Sequence, residues 1–550
     1  MNDGYVIGAV AFVVLASVLI GGFGLRISRT TSDFYVASRT VGPALNAAAI
    51  SGEYLSAASF LGVAGLLLVY GPDMLWYPVG YTAGYLVLLI FVAAPLRRSG
   101  AYTLPDFAEG RLESIGVRRV VSFLVVGTGW LYLVPQLQGA GLTLGTLTGA
   151  PRWFGALLVA AVVVLALAAG GMRSITFVQA FQYWLKLTAL LVPAFFVLLA
   201  WHRDGATPPD FPTDPSTAWP DSGTGQQFAS SRAEHPLYAT YGLITATFLG
   251  TMGLPHVVVR FYTSPDGRTA RRTTVVVLAL IGLFYLLPPL YGWLGRLYEP
   301  GVIGARTPGD ADATVLLLPG RVIGGLGGDL LGALVAGGAF AAFLSTASGL
   351  TMAVAGVLSQ DVLPARGVQH FRLAAVLAMG VPLGGALVVS AVPVADAVGM
   401  AFAVSASAFC PLLVLGIWWR RLTPPGALAG LLLGGGSAFV AVTVTVAGVG
   451  PARTGWSHTL LAWPALWSVP VGFLAMVLVS LATPGSVPPH TSATMTRLHL
   501  PETLSVPRSA AAAEGGGLRS AGRPSDPDRP TTDVPPRDHP SVPEQEGERT

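Results

Sequence analysis

Apolar runs of about twenty residues follow one another from residue 5 to residue 482, separated by short polar stretches rich in arginine. As a helix rising 1.5 Å per residue, a run of that length crosses ~30 Å of hydrocarbon. The pattern predicts thirteen spans: 5–25, 42–70, 74–95, 119–148, 153–170, 175–201, 238–260, 273–298, 317–360, 371–392, 394–418, 424–448 and 458–482. The two longest, 42–70 and 317–360, exceed a simple crossing, so each is expected to kink, tilt or run past the bilayer. Two polar segments interrupt or follow the series. Residues 202–236, rich in Asp, Pro, Ser and Thr, read as a long extracellular loop. Residues 483–550, with few apolar side chains, read as a disordered cytoplasmic tail.

Composition agrees with the pattern. With 52% apolar and only 11% charged residues and a mean hydropathy of +0.62, the chain is an integral membrane protein and not a soluble enzyme. Arginine follows alternate spans: Arg26, Arg29 and Arg39; Arg97, Arg98, Arg111, Arg118 and Arg119; Arg268, Arg271 and Arg272; Arg420 and Arg421. Positive charge marks the cytoplasmic side, which predicts an external N-terminus and a cytoplasmic C-terminus. The first span lacks a basic leader and reads as retained. The net charge of +4 follows from this asymmetry, and no basic patch interleaved with aromatics points to nucleic acid. Cys410 is the single cysteine, which excludes an intrachain disulfide or a cysteine metal cluster. Lys186 is the single lysine, and an Arg-rich, Ala/Gly-rich chain fits a GC-rich bacterial genome and a bacterial cell membrane.

Four stretches carry candidate chemistry. In PALNAAAISGEYLSAASFLGVAG, residues 43–65, Ser51, Gly52 and Glu53 interrupt an apolar helix. A carboxylate at that depth costs roughly 2.5–3.5 kcal/mol on insertion scales, so Glu53 is expected to be paired, protonated or facing a cavity. Glycine beside it favours unwinding, and unwound backbone inside a membrane is tolerated where it lines a site. A kinked helix with Glu near the interface is the plain alternative. In TATFLGTMGLPHVVVRF, residues 245–261, Gly250, Gly253 and Pro255 also disfavour a continuous helix. These two breaks lie five spans apart, the arrangement of an inverted repeat of spans 2–6 and 7–11, although Gly and Pro are also simply common in membrane helices. His256 reads as a group that ties down backbone near the break, and Arg260 as an interface anchor.

AFAAFLSTASGLTMAVAG, residues 339–356, places Ser345, Thr346 and Ser348 on an apolar helix. Hydroxyl oxygens suit a hard cation, and they equally serve to bond their own backbone or a neighbouring helix. In GGMRSITFVQAFQYWLKLTALL, residues 170–191, Gln179, Gln182 and Lys186 share one face. Lys186 lies roughly 20 Å along the helix from Arg173. Such a lysine either snorkels to the far interface or faces the interior, where it sits near an anion or stands in for a coupling cation. The chain offers no nucleophile–base pair and no phosphate loop with the required spacing, so an enzyme is not expected.

Together GEYLSAASFLG (52–62), GGMRSITFVQ (170–179), GTMGLPHVVVRFYT (250–263), FLSTASGLT (343–351) and GMAFAVSASAFCPLLVLGIWW (399–419) resemble the sodium:solute symporter family, most closely its cation–acetate or monocarboxylate branch. The resemblance implies an all-α membrane protein of about 13 helices with an external N-terminus and a five-plus-five inverted-repeat, LeuT-like core opened by broken first helices. It implies a Na⁺ site built from the carbonyls of Ala47, Ile50 and Ala342 with the hydroxyls of Ser345 and Thr346, and a substrate path beside Ser51, Glu53 and Tyr54, to which the helix breaks add Gly52 and Gly253 and the shared polar face adds Gln179, Gln182 and Lys186. Gln179 departs from the aspartate of sugar and proline members, which weakens the case for a second sodium. No cofactor is expected beyond the coupling ion, Na⁺ or alternatively H⁺. The expected activity is uptake of acetate or another short monocarboxylate. A symporter for proline, pantothenate or a sugar, or a membrane sensor that moves nothing, are the alternatives.

Overall fold

The computed structural model describes residues 3–27, 31–209, 232, 234–298, 311–363, 368–388, 394–448 and 454–502, and every regular element among them is helical. Among the described residues eleven helices are long and apolar enough to cross a membrane, twelve when the bent pair Pro43–Tyr54 and Ala58–Tyr70 counts as one span. Spans 153–170 and 175–201 follow one another without a loop in the stretch Arg152–Arg203, two helices joined across a kink and 52 residues long together. Such a length, at 1.5 Å per residue, is more than twice a bilayer, and the backbone leaves helical geometry at Gly171 (φ 56°, ψ −145°). A side chain there would meet the strain of positive φ, and a Cβ would stand 2.7 Å from Phe34 Cα. Gly171→Ala is therefore expected to destabilise by about 2 kcal/mol or more, read as a lowered melting temperature in detergent.

Short polar loops end in residues that start the next helix. The side chains of Ser114, Asp266 and Thr423 accept from the backbone N–H groups of Val117, Thr269 and Gly426. These bonds satisfy donors that a helix N-terminus leaves free. Large apolar side chains such as Phe12, Leu19, Phe123, Phe195, Leu286, Val440 and Leu474 stand more than half exposed on the outside of the bundle. That surface suits lipid and would be a liability in water. Inside, small residues let helices approach: Ala336, Gly337, Gly338 and Ala339 are buried in succession on the helix Gly325–Val357.

The polar C-terminal stretch departs from expectation. Residues 483–502 belong to the compact unit that runs to Glu502. Within them the helix Thr491–His499 buries Met495 and Leu498. Arg111 donates to Thr491 Oγ1 at 3.3 Å, and Arg98 donates to the carbonyls of Leu498 and His499. Two apolar residues three apart suffice to dock a short helix, a signal that an average over the whole tail conceals. Residues 503–550, and most of the predicted loop 202–236, lie outside the described residues.

Candidate functional site

The helix Pro43–Tyr54 stops at Leu55 (φ −73°, ψ 81°) and the chain resumes as Ala58–Tyr70, bent by 64°. The break falls one turn later than the sequence suggests: Ser51, Gly52 and Glu53 are helical. Gly52 is needed for another reason. A Cβ on it would overlap the backbone carbonyl oxygen of Gln179, so glycine lets two helices touch backbone to backbone. At the break the Ser56 N–H turns to the Tyr54 carbonyl at 2.8 Å, and the Gly52 carbonyl loses its helical partner. The end of a helix carries roughly half a negative charge on such carbonyls, which attracts cations.

Two side chains answer that charge. Thr346 donates from Oγ1 to the Glu53 carbonyl at 2.7 Å. Lys186 donates from Nζ to the carbonyls of Gly52 and Leu55, the latter at 2.8 Å, and to Ser345 Oγ at 2.8 Å. Ser345 spends its own proton on the Ala342 carbonyl at 3.0 Å. All three oxygens around Nζ therefore accept, and three donors are what an ammonium has. Lys186 is buried to 1% exposure, so it does not snorkel. The hydroxyls of Ser345 and Thr346 thus meet the broken helix and its lysine partner, while the Ala342 carbonyl accepts from Ser345 on its own helix. The carbonyls they and Lys186 engage are those of Gly52, Glu53 and Leu55, while Ala47 and Ile50 lie buried earlier in that helix.

Glu53 is ion-paired. Arg260 Nε lies 2.5 Å from its Oε2, with both side chains nearly fully buried. Arg260 also donates to Thr176 Oγ1 at 2.9 Å and to Gln179 Oε1, and Gln179 in turn donates to the Ser345 carbonyl at 2.8 Å. Arg260 is thus no interface anchor but the centre of the site. It follows Pro255, whose ring ends the helix Pro236–Gly253 at Leu254 (φ −59°, ψ 119°) and restarts the chain as Pro255–Phe261. Gly349 leaves room for the Glu53 carboxylate, which a Cβ there would overlap.

Other expected residues fall elsewhere. Gln182 donates to Ser17 Oγ of the first helix at 3.0 Å, away from the break. Gly253 is pressed against Phe409, whose Cβ would stand 2.7 Å from an added Cβ. His256 ties down no backbone: both ring nitrogens are buried without a hydrogen-bond partner, and its ring meets Tyr132 edge-on at 5.6 Å. Ser51 Oγ is likewise buried and unpartnered. The Tyr54 hydroxyl lies 2.9 Å from Thr251 Oγ1 and donates to the Tyr81 carbonyl at 3.2 Å.

Three features escaped the sequence reading. Tyr81, Tyr85 and Phe402 pack around Tyr54 as an aromatic wall. Tyr77, Tyr81 and Tyr85 recur every four residues, and that stripe in a membrane span was the available signal. At its end Tyr77 donates to Asp396 Oδ1 at 2.6 Å. Arg232 pairs with the same oxygen at 2.6 Å while its guanidinium lies about 5 Å from the rings of Tyr70 and Trp463. The residues of the break itself, Leu55, Ser56 and Ala57, are buried. A cavity of about 480 Å³ lined by Tyr35, Tyr102, Arg111, Arg118 and Arg497 includes none of its residues.

A helical membrane bundle that closes a buried ion pair around broken helices has the architecture with which secondary transporters hold ions and small solutes. Comparison with known proteins narrows the class. The sequence pattern of the sodium:solute symporter family matches residues 34–434, and the chain belongs to that family. It is 32% identical over 480 residues to the uncharacterized symporter YwcA of Bacillus subtilis, covering 84% of this chain and 91% of that protein. An uncharacterized symporter of Cupriavidus necator is 28% identical over 87% of this chain and 92% of its own length. The fold resembles that of a Na⁺-coupled sialic acid symporter in a substrate-bound outward-open state (TM-score 0.65, 14% identity, 87% of this chain and 97% of that one). It also resembles Mhp1, a nucleobase-cation-symport-1 transporter in a closed conformation (TM-score 0.50, 15% identity, 85% and 99%). The protein is a multi-pass membrane symporter of the sodium:solute class and not an enzyme.

Proposed function

We propose that the protein couples Na⁺ to the uptake of acetate or another short monocarboxylate across a bacterial plasma membrane, with its N-terminus outside and its C-terminus in the cytoplasm. The observation that carries this reading is the charge of the buried centre. Glu53 and Arg260 cancel, and the Lys186 ammonium is left over. A buried charge without a counter-charge is costly, so the centre favours an anionic ligand. A sugar brings none, and a zwitterion such as proline brings no net charge. The carboxylate meets the start of Ala58–Tyr70, where a half-helix N-terminus favours anions. Glu53 does not repel it, because Arg260 already neutralises that carboxylate. The hydroxyls of Ser345 and Thr346, with carbonyls of the broken helix, offer the oxygen ligands that Na⁺ prefers.

The inverted repeat of spans 2–6 and 7–11 belongs to the same reading, with the breaks at Leu55 and Leu254 as its paired hinges. One Na⁺ moved with one acetate is electroneutral, so a membrane potential, worth ~2.3 kcal/mol per charge per 100 mV, adds nothing to uptake. Radiolabelled acetate uptake into proteoliposomes, with and without an inward Na⁺ gradient at constant pH, tests the proposal. Sodium-driven accumulation without acetate-dependent current is the expected result. Uptake that follows a pH gradient alone removes Na⁺ as the coupling ion. Absence of acetate uptake under either gradient, with competition by proline, pantothenate or a sugar, removes the monocarboxylate.

A further inference from the structure

The oxygens that the Lys186 ammonium holds are those a coupling cation needs. Nζ takes the carbonyls of Gly52 and Leu55 and the Ser345 hydroxyl, three acceptors for three donors, at the negative end of a broken helix. Ser345 Oγ is also a ligand that the proposed Na⁺ site requires. One hydroxyl oxygen cannot serve an ammonium and a sodium ion at bonding distance together, because two unit positive charges would then lie a few ångströms apart in a buried centre. The polar network around the ammonium offers no second counter-ion: Glu53 is taken by Arg260, and Gln179 is neutral and bridges Arg260 to the Ser345 carbonyl.

We infer that Lys186 and Na⁺ occupy this oxygen cage in turn, and that the ammonium displaced by Na⁺ becomes the partner of the substrate carboxylate. Lys186 is a tethered cation on a flexible four-carbon stem. Its backbone stays fixed, since the helix Arg152–Arg203 packs closely there, with Gly338 facing Ala189 and the Lys186 backbone. When Na⁺ enters, the ammonium leaves three oxygens behind and needs negative charge elsewhere. In this network, among the described residues, the Glu53 carboxylate is already paired with Arg260, and the charge free to meet the ammonium is the one that arrives with the substrate. Cation binding thereby creates the anion site, which fixes the order of loading and ties one cation to one carboxylate. With neither bound, the ammonium holds the broken helix to the Ser345 helix. The inference rests on Na⁺ as the coupling ion and not on which acid is carried.

Lys186 is the single lysine of the chain, so [ε-13C]lysine places one label in the whole protein. NaCl is titrated against choline chloride in purified full-length protein, with no carboxylate present, and the lysine signal is followed by NMR. A saturable shift with Na⁺, absent with choline, is expected. Lys186→Met and Lys186→Gln remove the tethered competitor, and Na⁺ is expected to stabilise them against heat at concentrations at least tenfold lower than it does the wild type. In both variants acetate affinity is expected to lose its dependence on Na⁺. Three results would each overturn the inference: Na⁺ stabilises the wild type while the lysine signal stays still; Na⁺ produces neither shift nor stabilisation; or the variants fold and bind Na⁺ as the wild type does. Because the Na⁺ titration contains no carboxylate, a shift that persists in a protein unable to move acetate refutes the choice of acid and leaves the exchange standing.

Discussion

Arg260→Met is expected to abolish acetate binding and to lower stability by about 3–5 kcal/mol, the usual consequence of stranding one member of a buried ion pair. The stranded group is the Glu53 carboxylate, held within the bundle with its other neighbours already engaged. Binding is lost for a separate reason. Without Arg260 the centre holds one carboxylate and one ammonium that are not bonded to each other, since Lys186 stays with the helix carbonyls, so the net charge falls to zero and the excess that a carboxylate would balance is gone. The double variant Glu53→Gln/Arg260→Met restores that excess. It also removes the stranded charge, so it is expected to regain most of the lost stability and a measurable part of the binding. Melting temperature and equilibrium binding of labelled acetate read the two effects independently. A double variant that folds yet binds nothing would show that the charge balance is not what selects the ligand. Glu53→Gln alone, transporting with normal affinity and rate, would deny Glu53 any part in coupling.

Gly52→Ala should cost uptake at least tenfold while most of the fold survives. An added Cβ overlaps the backbone carbonyl oxygen of Gln179 and comes within 3.3 Å of Tyr183 Cβ. Neither neighbour is the loose end of a flexible side chain, so the helices must separate. Overpacking of this kind costs about 1–3 kcal/mol. The functional effect exceeds that figure because the displaced backbone carries the Gly52 carbonyl that Lys186 holds and the Gln179 side chain that Arg260 holds. Gly282→Ala serves as the control: nothing lies within 4 Å of a Cβ there, and alanine is the better helix former. Equal losses in the two variants would mean that the close approach at Gly52 has no functional weight.

Much of this was legible in the chain. Hydrocarbon accepts only long apolar stretches whose backbone is satisfied internally, so the spans stand out from composition alone. A glutamate, a lysine and a Ser–Thr pair inside such stretches are costly or conspicuous enough to mark an interior, and the structure brings Glu53, Lys186, Ser345 and Thr346 together. The Gly–Leu–Pro sequence at 253–255 announced the second break because proline cannot continue a helix there. Local chemistry sufficed in each case.

What the chain could not reveal depends on who lies opposite. Gly52 looked like the point of unwinding, yet it is helical and small because Gln179 passes against it. Arg260 looked like an anchor at the membrane surface, yet it closes on a carboxylate 207 positions earlier in the chain. Gln182 shares a face with Gln179 and Lys186 on paper, yet a wide helix face meets two neighbours, and Gln182 turns to the first helix instead. A glycine is equally suited to bending a helix and to letting two helices touch, and an arginine equally to lipid headgroups and to a buried partner. The sequence by itself determined a membrane-spanning bundle with polar groups set into broken helices, and its resemblance to a known family pointed to a symporter. Only the packing of the helices decided which polar groups neutralise one another, because burial and charge pairing are properties of neighbours in space.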